Sequence, residues 1–207
     1  MGKFHNGVLG TMTGKVGGVV GRTWKGINTV ASYQPNVSNP RTNSQMAQRG
    51  KLSTLTGLAS QLNTGFIKPL WDRDAKKMSG FNAFIQANMS AVDANGDIVW
   101  NDLIASRGKM VSPVLSGVLD GANFLTVNWS TEISDAYSQS TDKIFIAVVE
   151  SRSMKAYAFS AVANRSAGTC TVSVPTVIGD NFEVLCAFRR EDGSVVSNSS
   201  LASVSIH

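Results

Sequence analysis

Three stretches in the second half of the chain repeat with a period of two residues, and that period admits few folds. FLTVNWS places Leu125, Val127 and Trp129 on one side and Phe124, Thr126 and Asn128 on the other. FEVLCAF brings Phe182, Val184, Cys186 and Phe188 onto one side, and TCTVSV does the same for Cys170, Val172 and Val174. Alternation of this kind is the pattern of a strand with one face in a core. KIFIAVVES is apolar almost throughout, as expected of a central strand covered on both faces. REDGS reads as a turn and LASVSI as the last strand. About seven short strands with turns between them predict an antiparallel β-sandwich over residues 111–207.

Upstream of Pro113 the period is that of a helix. Leu52, Leu55, Leu58, Leu62 and Phe66 recur every three or four residues, and so do Trp71, Met78, Phe81, Ile85, Met89 and Val92. Asn39-Pro40 is a turn signal, Asn43 or Ser44 is placed to cap the first helix, and Pro69 closes it or opens the next. The spacing predicts a helical hairpin within residues 37–110, with DANGD (Asp93 to Asp97) as its exit turn. IVWNDLIASRG reads as a short helix or strand. The expected class is α+β.

Residues 1–36 differ from both. They are dense in glycine, with short β-prone runs such as GVVGRTW and INTVASYQP. TGKVGGVVGRTWKG has the look of a phosphate-binding loop, but Gly10 and Gly14 are separated by three intervening residues rather than four, and Val16 follows Lys15 where a hydroxyl is needed to reach magnesium. The glycines are better explained by a backbone that must come close to another backbone. The segment therefore reads as a Gly-rich extended β arm or hairpin that lies against something else.

Charge sharpens this reading. Residues 1–71 carry eight lysines and arginines and no aspartate or glutamate, whereas the remainder carries eleven basic against fourteen acidic residues. Such asymmetry points either to an anionic partner or to complementary docking between copies of the chain. Lys15, Arg22, Trp24, Lys25 and Arg41 are the candidate interface residues, with Gly17, Gly18 and Gly21 allowing close approach.

Little else invites chemistry. DANGD has acidic and amide side chains at alternate positions, but Ile98 and Ile104 stand where a calcium loop needs glycine and glutamate. The two histidines, His5 and His207, sit near the termini, which leaves no Ser-His-Asp or Cys-His pairing and no zinc set with the two cysteines. The carboxylates fall mostly in turns and on amphipathic helices. Cys170 and Cys186 share the inward parity of their strands and either bridge the sandwich or remain buried thiols. No apolar run approaches the roughly 20 residues that span a bilayer. The N-terminus lacks the apolar core of a secretory signal, and Asn6 stands where myristoylation favours Ser or Thr. No enzyme activity, catalytic residue, cofactor or metal is expected.

Two resemblances add to this. The segment from Leu125 to Ile206 resembles a fibronectin type III domain, with Trp129 late in the second strand and VPTVIGDNFEVLCAFRREDGSVVSNSSLASV similar to that family's end. Phe182 stands where that family usually has a tyrosine. Along the whole chain, GKVGGVVGRTWKG, NPRTNSQMAQRGKLS, FNAFIQAN and SRGKM follow one another as in a domain-of-unknown-function family of about this length, encoded by Bacteroidetes bacteria and their phages. The NPRT…Q…QR element also resembles a segment of small phage virion proteins. The Gly-rich extended arm, the end-to-end charge asymmetry, the β-sandwich and the lack of an export signal together favour a non-enzymatic virion structural protein, capsid-associated or in the tail, assembled in the host bacterial cytoplasm. Its expected partners are other virion proteins and copies of itself, with electrostatic contact to nucleic acid as a further option and with no membrane or small-molecule substrate. The alternatives are a bacterial surface or adhesion module whose sandwich binds glycan or protein, and a nucleic-acid-binding protein.

Overall fold

A computed structural model describes residues 3–4, 10–36, 39, 41–73, 75–121 and 123–206. The expectations for His5, Asn6, Pro40 and His207 lie outside the described residues. The structure is mostly β-sheet, with its α-helices confined to one stretch of chain. A small N-terminal sheet holds β1 (Lys3–Phe4), β2 (Met12–Val16), β3 (Val19–Trp24) and β4 (Ile27–Ser32) in sequential antiparallel order. The helical stretch holds α1 (Asn43–Leu62), α2 (Lys68–Trp71) and α3 (Gly80–Asn88). The sandwich is built from β5 (Leu115–Gly121), β6 (Phe124–Trp129), β7 (Lys143–Glu150), β8 (Ala156–Asn164), β9 (Thr169–Ser173), β10 (Asn181–Arg189) and β11 (Ser200–Ser205).

The seven sandwich strands form two antiparallel sheets, ordered β5-β6-β9 and β11-β10-β7-β8. The fourth strand, β8, pairs with β7 and not with the three-stranded sheet. This is the strand order of an immunoglobulin-like domain of the fibronectin type III kind. Parity carries the packing. Leu125, Val127 and Trp129 of β6 meet Ile144, Ile146 and Val148 of β7 and Phe182, Val184, Cys186 and Phe188 of β10 in one core between the sheets. The alternate residues Phe145, Ala147, Val149, Leu185 and Ala187 face the other way and form a second core with the helices. The molecule thus has three layers in this region: helices, four-stranded sheet, three-stranded sheet. KIFIAVVES is apolar on both faces because each face has its own cover.

The helical layer departs from the sequence expectation in three places. Thr42, not Asn43 or Ser44, caps α1: its Oγ1 accepts the Gln45 amide at 3.3 Å. Leu55, Leu58 and Leu62 are buried, but Leu52 is exposed, in the first part of α1 where no residue before Leu55 is buried. The expected second helix does not begin near Leu70. The first helical run passes through a π-helical turn (Asn63–Ile67) and ends at Trp71, and after a loop α3 begins at Gly80 with Ser79 as its cap. The π-turn lets Phe66, Ile67, Leu70 and Trp71 all reach the core. Pro69 fits because α2 starts just before it.

Asx hydrogen bonds close the DANGD turn: Asp93 Oδ1 accepts the amides of Asn95 and Asp97, each at 2.9 Å. IVWNDLIASRG forms only a short 3₁₀ turn (Trp100–Asp102) and then extended chain. Asn88 fixes that chain, its side chain bonding both the amide and the carbonyl of Ile104 at 2.7 and 3.0 Å. Both cysteines are free thiols. Burial pushes both thiols up from their ordinary pKa, Cys186 far up.

Candidate assembly interface

The N-terminal sheet is built by two tight turns. Gly17 (φ 58°) lies in the turn between β2 and β3, and Lys25 (φ 44°) with Gly26 (φ 80°) forms the two-residue turn between β3 and β4. Two successive positive φ values match the right-handed twist of a hairpin, which is why Lys25-Gly26 sets the register Trp24↔Ile27. From that register, pairs follow down the ladder: Arg22↔Thr29, Val20↔Ala31 and Lys15↔Val20.

Because paired residues share a face, Lys15, Val20, Arg22, Trp24, Ile27 and Thr29 all lie on one side of this sheet. Tyr33 joins them, with the Lys15 ammonium 3.3 Å from its ring centroid. Trp24 is 59% exposed, and Ile27 and Tyr33 are likewise open. The opposite side carries Gly14, Val16, Val19, Gly21 and Val30, of which Val16, Val19 and Val30 are exposed. No residue of β1 to β4 enters either hydrophobic core among the described residues. The Lys25 ammonium ties the sheet to the body by donating to the carbonyl of Met78.

Lys15, Arg22 and Trp24 are therefore brought together on one face, with Lys25 at its edge. Arg41 is not part of it; it precedes the Thr42 cap of α1 and is exposed. The glycines do different work from that expected. Gly21 does allow a close approach, but of this chain's own β2: a Cβ there would stand 2.3 Å from the Met12 carbonyl oxygen. Gly17 is required by its turn conformation and has open space around it, and Gly18 has neither a left-handed φ nor a close neighbour. The face also includes Val20, Ile27 and Tyr33, which sequence reading did not single out. The alternation Ile27, Thr29, Ala31, Tyr33 behind a Lys-Gly turn was the signal that held them.

Away from this sheet, the sandwich hides an ion pair. Arg165 and Asp142 meet at 3.4 Å, both shielded from solvent, and the guanidinium lies 3.8 Å from the centre of the Phe188 ring. Trp129 donates its indole N–H to the Arg165 carbonyl at 2.9 Å. Asp135 secures the neighbouring loop by accepting the amides of Val111, Tyr137 and Ser138. Burial alone pushes the Asp135 carboxyl up, but hydrogen bonds from Ser138, Val111 and Tyr137 outweigh it and hold the group below its ordinary value. Arg165 and Asp142 are buried and Asp135 is partly so, and Asp142 Oδ1 and Arg165 Nη2 have no hydrogen-bond partner among the described residues. No described helix is long and apolar enough to cross a membrane.

Several solved structures are similar to part of this chain. The chicken interferon gamma receptor alpha chain aligns at 16% identity and a TM-score of 0.37, covering 47% of this chain and 52% of that one. A β-1,2-glucanase from Parabacteroides distasonis aligns at 10% identity and a TM-score of 0.36, over 48% of this chain and 13% of the glucanase. A fibronectin type III domain of human fibronectin type III domain containing protein 3 aligns at 17% identity and a TM-score of 0.32, over 49% of this chain and 90% of the domain. This chain spans about half of the receptor and a small part of the glucanase. The fold assignment rests on strand order and pairing, not on these alignments. No curated protein matches the chain. The model of a family of unknown function (DUF6266) matches residues 11–203.

Proposed function

The chain belongs to the family of unknown function DUF6266, and from that premise we propose that it is a non-enzymatic structural protein of a phage particle, capsid-associated or in the tail, that assembles through its N-terminal sheet. One observation supports this reading above the others: among the described residues, none of the sheet's side chains joins a hydrophobic core on either face. A sheet normally buries at least one face against another element, yet here Trp24, Ile27, Tyr33 and Val30 stand in solvent. Exposed apolar side chains grouped on one surface mark an interaction site on a soluble protein. Lys15 and Arg22 beside them favour an anionic partner.

The strand β4 is also an open edge, since among the described residues it pairs only with β3. A partner strand can add there through main-chain hydrogen bonds, with little side-chain chemistry required. Mass spectrometry of purified particles from a phage that encodes the chain tests the proposal. Stoichiometric presence is expected, and absence from the particle removes it.

A second reading draws on the same face. Trp24 and Tyr33 flank cationic side chains, the arrangement on which single-stranded nucleic acid stacks. That reading requires affinity that falls steeply with salt through counterion release. Binding of a single-stranded oligonucleotide that is undetectable at low salt would eliminate it.

A further inference from the structure

A sheet ends in strands whose outer main-chain groups lack partners, and proteins usually blunt such edges with charge, proline, a bulge or a very short strand. The two edges of the N-terminal sheet are unlike in this respect. At one edge, β1 is two residues long and carries Lys3. At the other, β4 reads INTVAS, with no charge and no proline, and its register against β3 is unbroken from Ile27 to Ser32. Every residue of β4 is exposed. In the sandwich, by contrast, each sheet edge has an edge of the other sheet beside it, β5 against β11 and β8 against β9.

The turn before β4 decides which of its groups point outward. A two-residue turn makes its flanking pair a hydrogen-bonded one, so Ile27 exchanges main-chain bonds with Trp24. Alternate residues repeat this, Thr29 with Arg22 and Ala31 with Val20. Tyr33 keeps the same parity, its amide donating to the Gly18 carbonyl at 2.7 Å. Asn28, Val30 and Ser32 therefore direct their amides and carbonyls away from β3. Among the described residues no strand pairs with that side.

We propose that two copies of this chain pair through β4, antiparallel about a two-fold axis at Val30, joining their N-terminal sheets into one. The proposal rests on the reading of this sheet as an assembly surface and names its partner. Charge and parity select a second copy. A strand laid against its own copy meets every charge it carries, and β4 carries none. With Val30 opposite Val30, Asn28 faces the second copy's Ser32, so the outward residues of both strands fall into hydrogen-bonded pairs that exchange two bonds each. Antiparallel pairing also keeps each face continuous. Ile27 stands beside the second copy's Tyr33, a β-branched and aromatic pair, and Val30, 67% exposed in one copy, is covered by its symmetry mate. Arg22 on β3 and Lys15 on β2 lie back from the seam, and Lys25 in the turn is held by the Met78 carbonyl. The cationic face stays open to an anionic partner.

Sedimentation velocity of the full-length protein across a concentration series, at low and high salt, tests this. The mass is expected to double and stop there, because a two-fold contact closes. Association is expected to hold or strengthen as salt screens the basic sheets from each other. Val30→Lys and Val30→Glu each put like charges opposite one another at the axis. Each is expected to weaken the dimer at least about tenfold, and an equal mixture of the two is expected to restore it as a heterodimer. The main unfolding transition, set by cores that Val30 does not enter, is expected to stay in place in both variants. Disulfide trapping in a Cys170→Ser background reads the register. Val30→Cys is expected to crosslink to itself, since Cα atoms of a hydrogen-bonded pair lie about 5.5 Å apart. Asn28→Cys and Ser32→Cys proteins are expected to crosslink when mixed and not singly. A wild-type protein that stays monomeric throughout overturns the proposal. So does association indifferent to both charge variants, or a dimer that forms only when an oligonucleotide is added. Absence from the particle with the Val30-dependent dimer intact removes the phage reading and leaves this contact standing. A protein monomeric in solution yet stoichiometric in the particle removes the contact and leaves that reading.

Discussion

Two glycines show how differently one residue type can serve this molecule. A Cβ on Gly108 would stand 1.9 Å from the Val196 carbonyl oxygen, the atom that also accepts the Met110 amide at 3.1 Å. Gly108→Ala should therefore force apart the strap that closes the helical layer over the sheet, at a cost of about 3 kcal/mol. Gly21→Ala meets Met12 just as hard, but only within the N-terminal sheet. Thermal unfolding of both variants checks this: the main transition falls for Gly108→Ala and stays in place for Gly21→Ala. Asp135 gives the fold an acid limit. Its carboxyl is held below the ordinary value of 3.8 in the folded state, so its contribution is complete above that value and fades as pH drops through the lower, folded one. Asp135→Asn should lose stability at neutral pH and flatten the fall in melting temperature below about pH 4, the region where unfolded aspartate titrates. The cysteines supply a third check. Cys186 is sealed in the core and Cys170 is partly covered, so a thiol reagent should modify at most one group in the native protein and both after denaturation.

At the scale of elements, what could be read from sequence depended on whether a pattern reports burial or partnership. The inward sides of β6, β9 and β10 were legible because alternation and burial are the same fact in a strand. The double cover of β7 was legible too, but nothing in KIFIAVVES says that helices supply one of the covers. Helical spacing from Trp71 to Val92 overreached because Met78 and its neighbours are partly buried in a loop, and compact packing gives loops apolar residues without giving them helical backbone. β5 and β8 went unmarked; β8 is AYAFSAVAN, rich in a residue that favours helices, and only pairing with β7 settles its state. The candidate interface was half legible. Parity alone groups Lys15 with the β3 residues only after the β2–β3 register is known, and a glycine-rich strand cannot reveal whether the backbone that approaches it belongs to its own chain. It is Met12 that does so at Gly21.

Over the whole molecule, the N-terminal sheet contributes no buried residue to either core among the described residues. Every buried residue of the cores falls at or after Leu55, so removal of residues 1–36 should leave the cooperative unfolding of the remainder within about 0.5 kcal/mol of the intact chain, as for surface changes outside a core. Denaturant unfolding of the truncated protein measures this, and a collapse of the transition would mean that the sheet is part of the fold. The charge distribution works at this scale as well: residues 1–71 carry eight basic and no acidic residues, whereas the remainder carries eleven basic against fourteen acidic.

Hydrogen exchange over residues 12–33, compared between the isolated protein and its native assembly, tests most directly whether the N-terminal sheet is completed by a partner. Amides of the β4 edge, unpaired on their outer side, should exchange readily in isolation and at least about tenfold more slowly once assembled, as edge groups gain partners. Equal exchange in the two states, with Trp24 as open to solvent as before, would contradict the account.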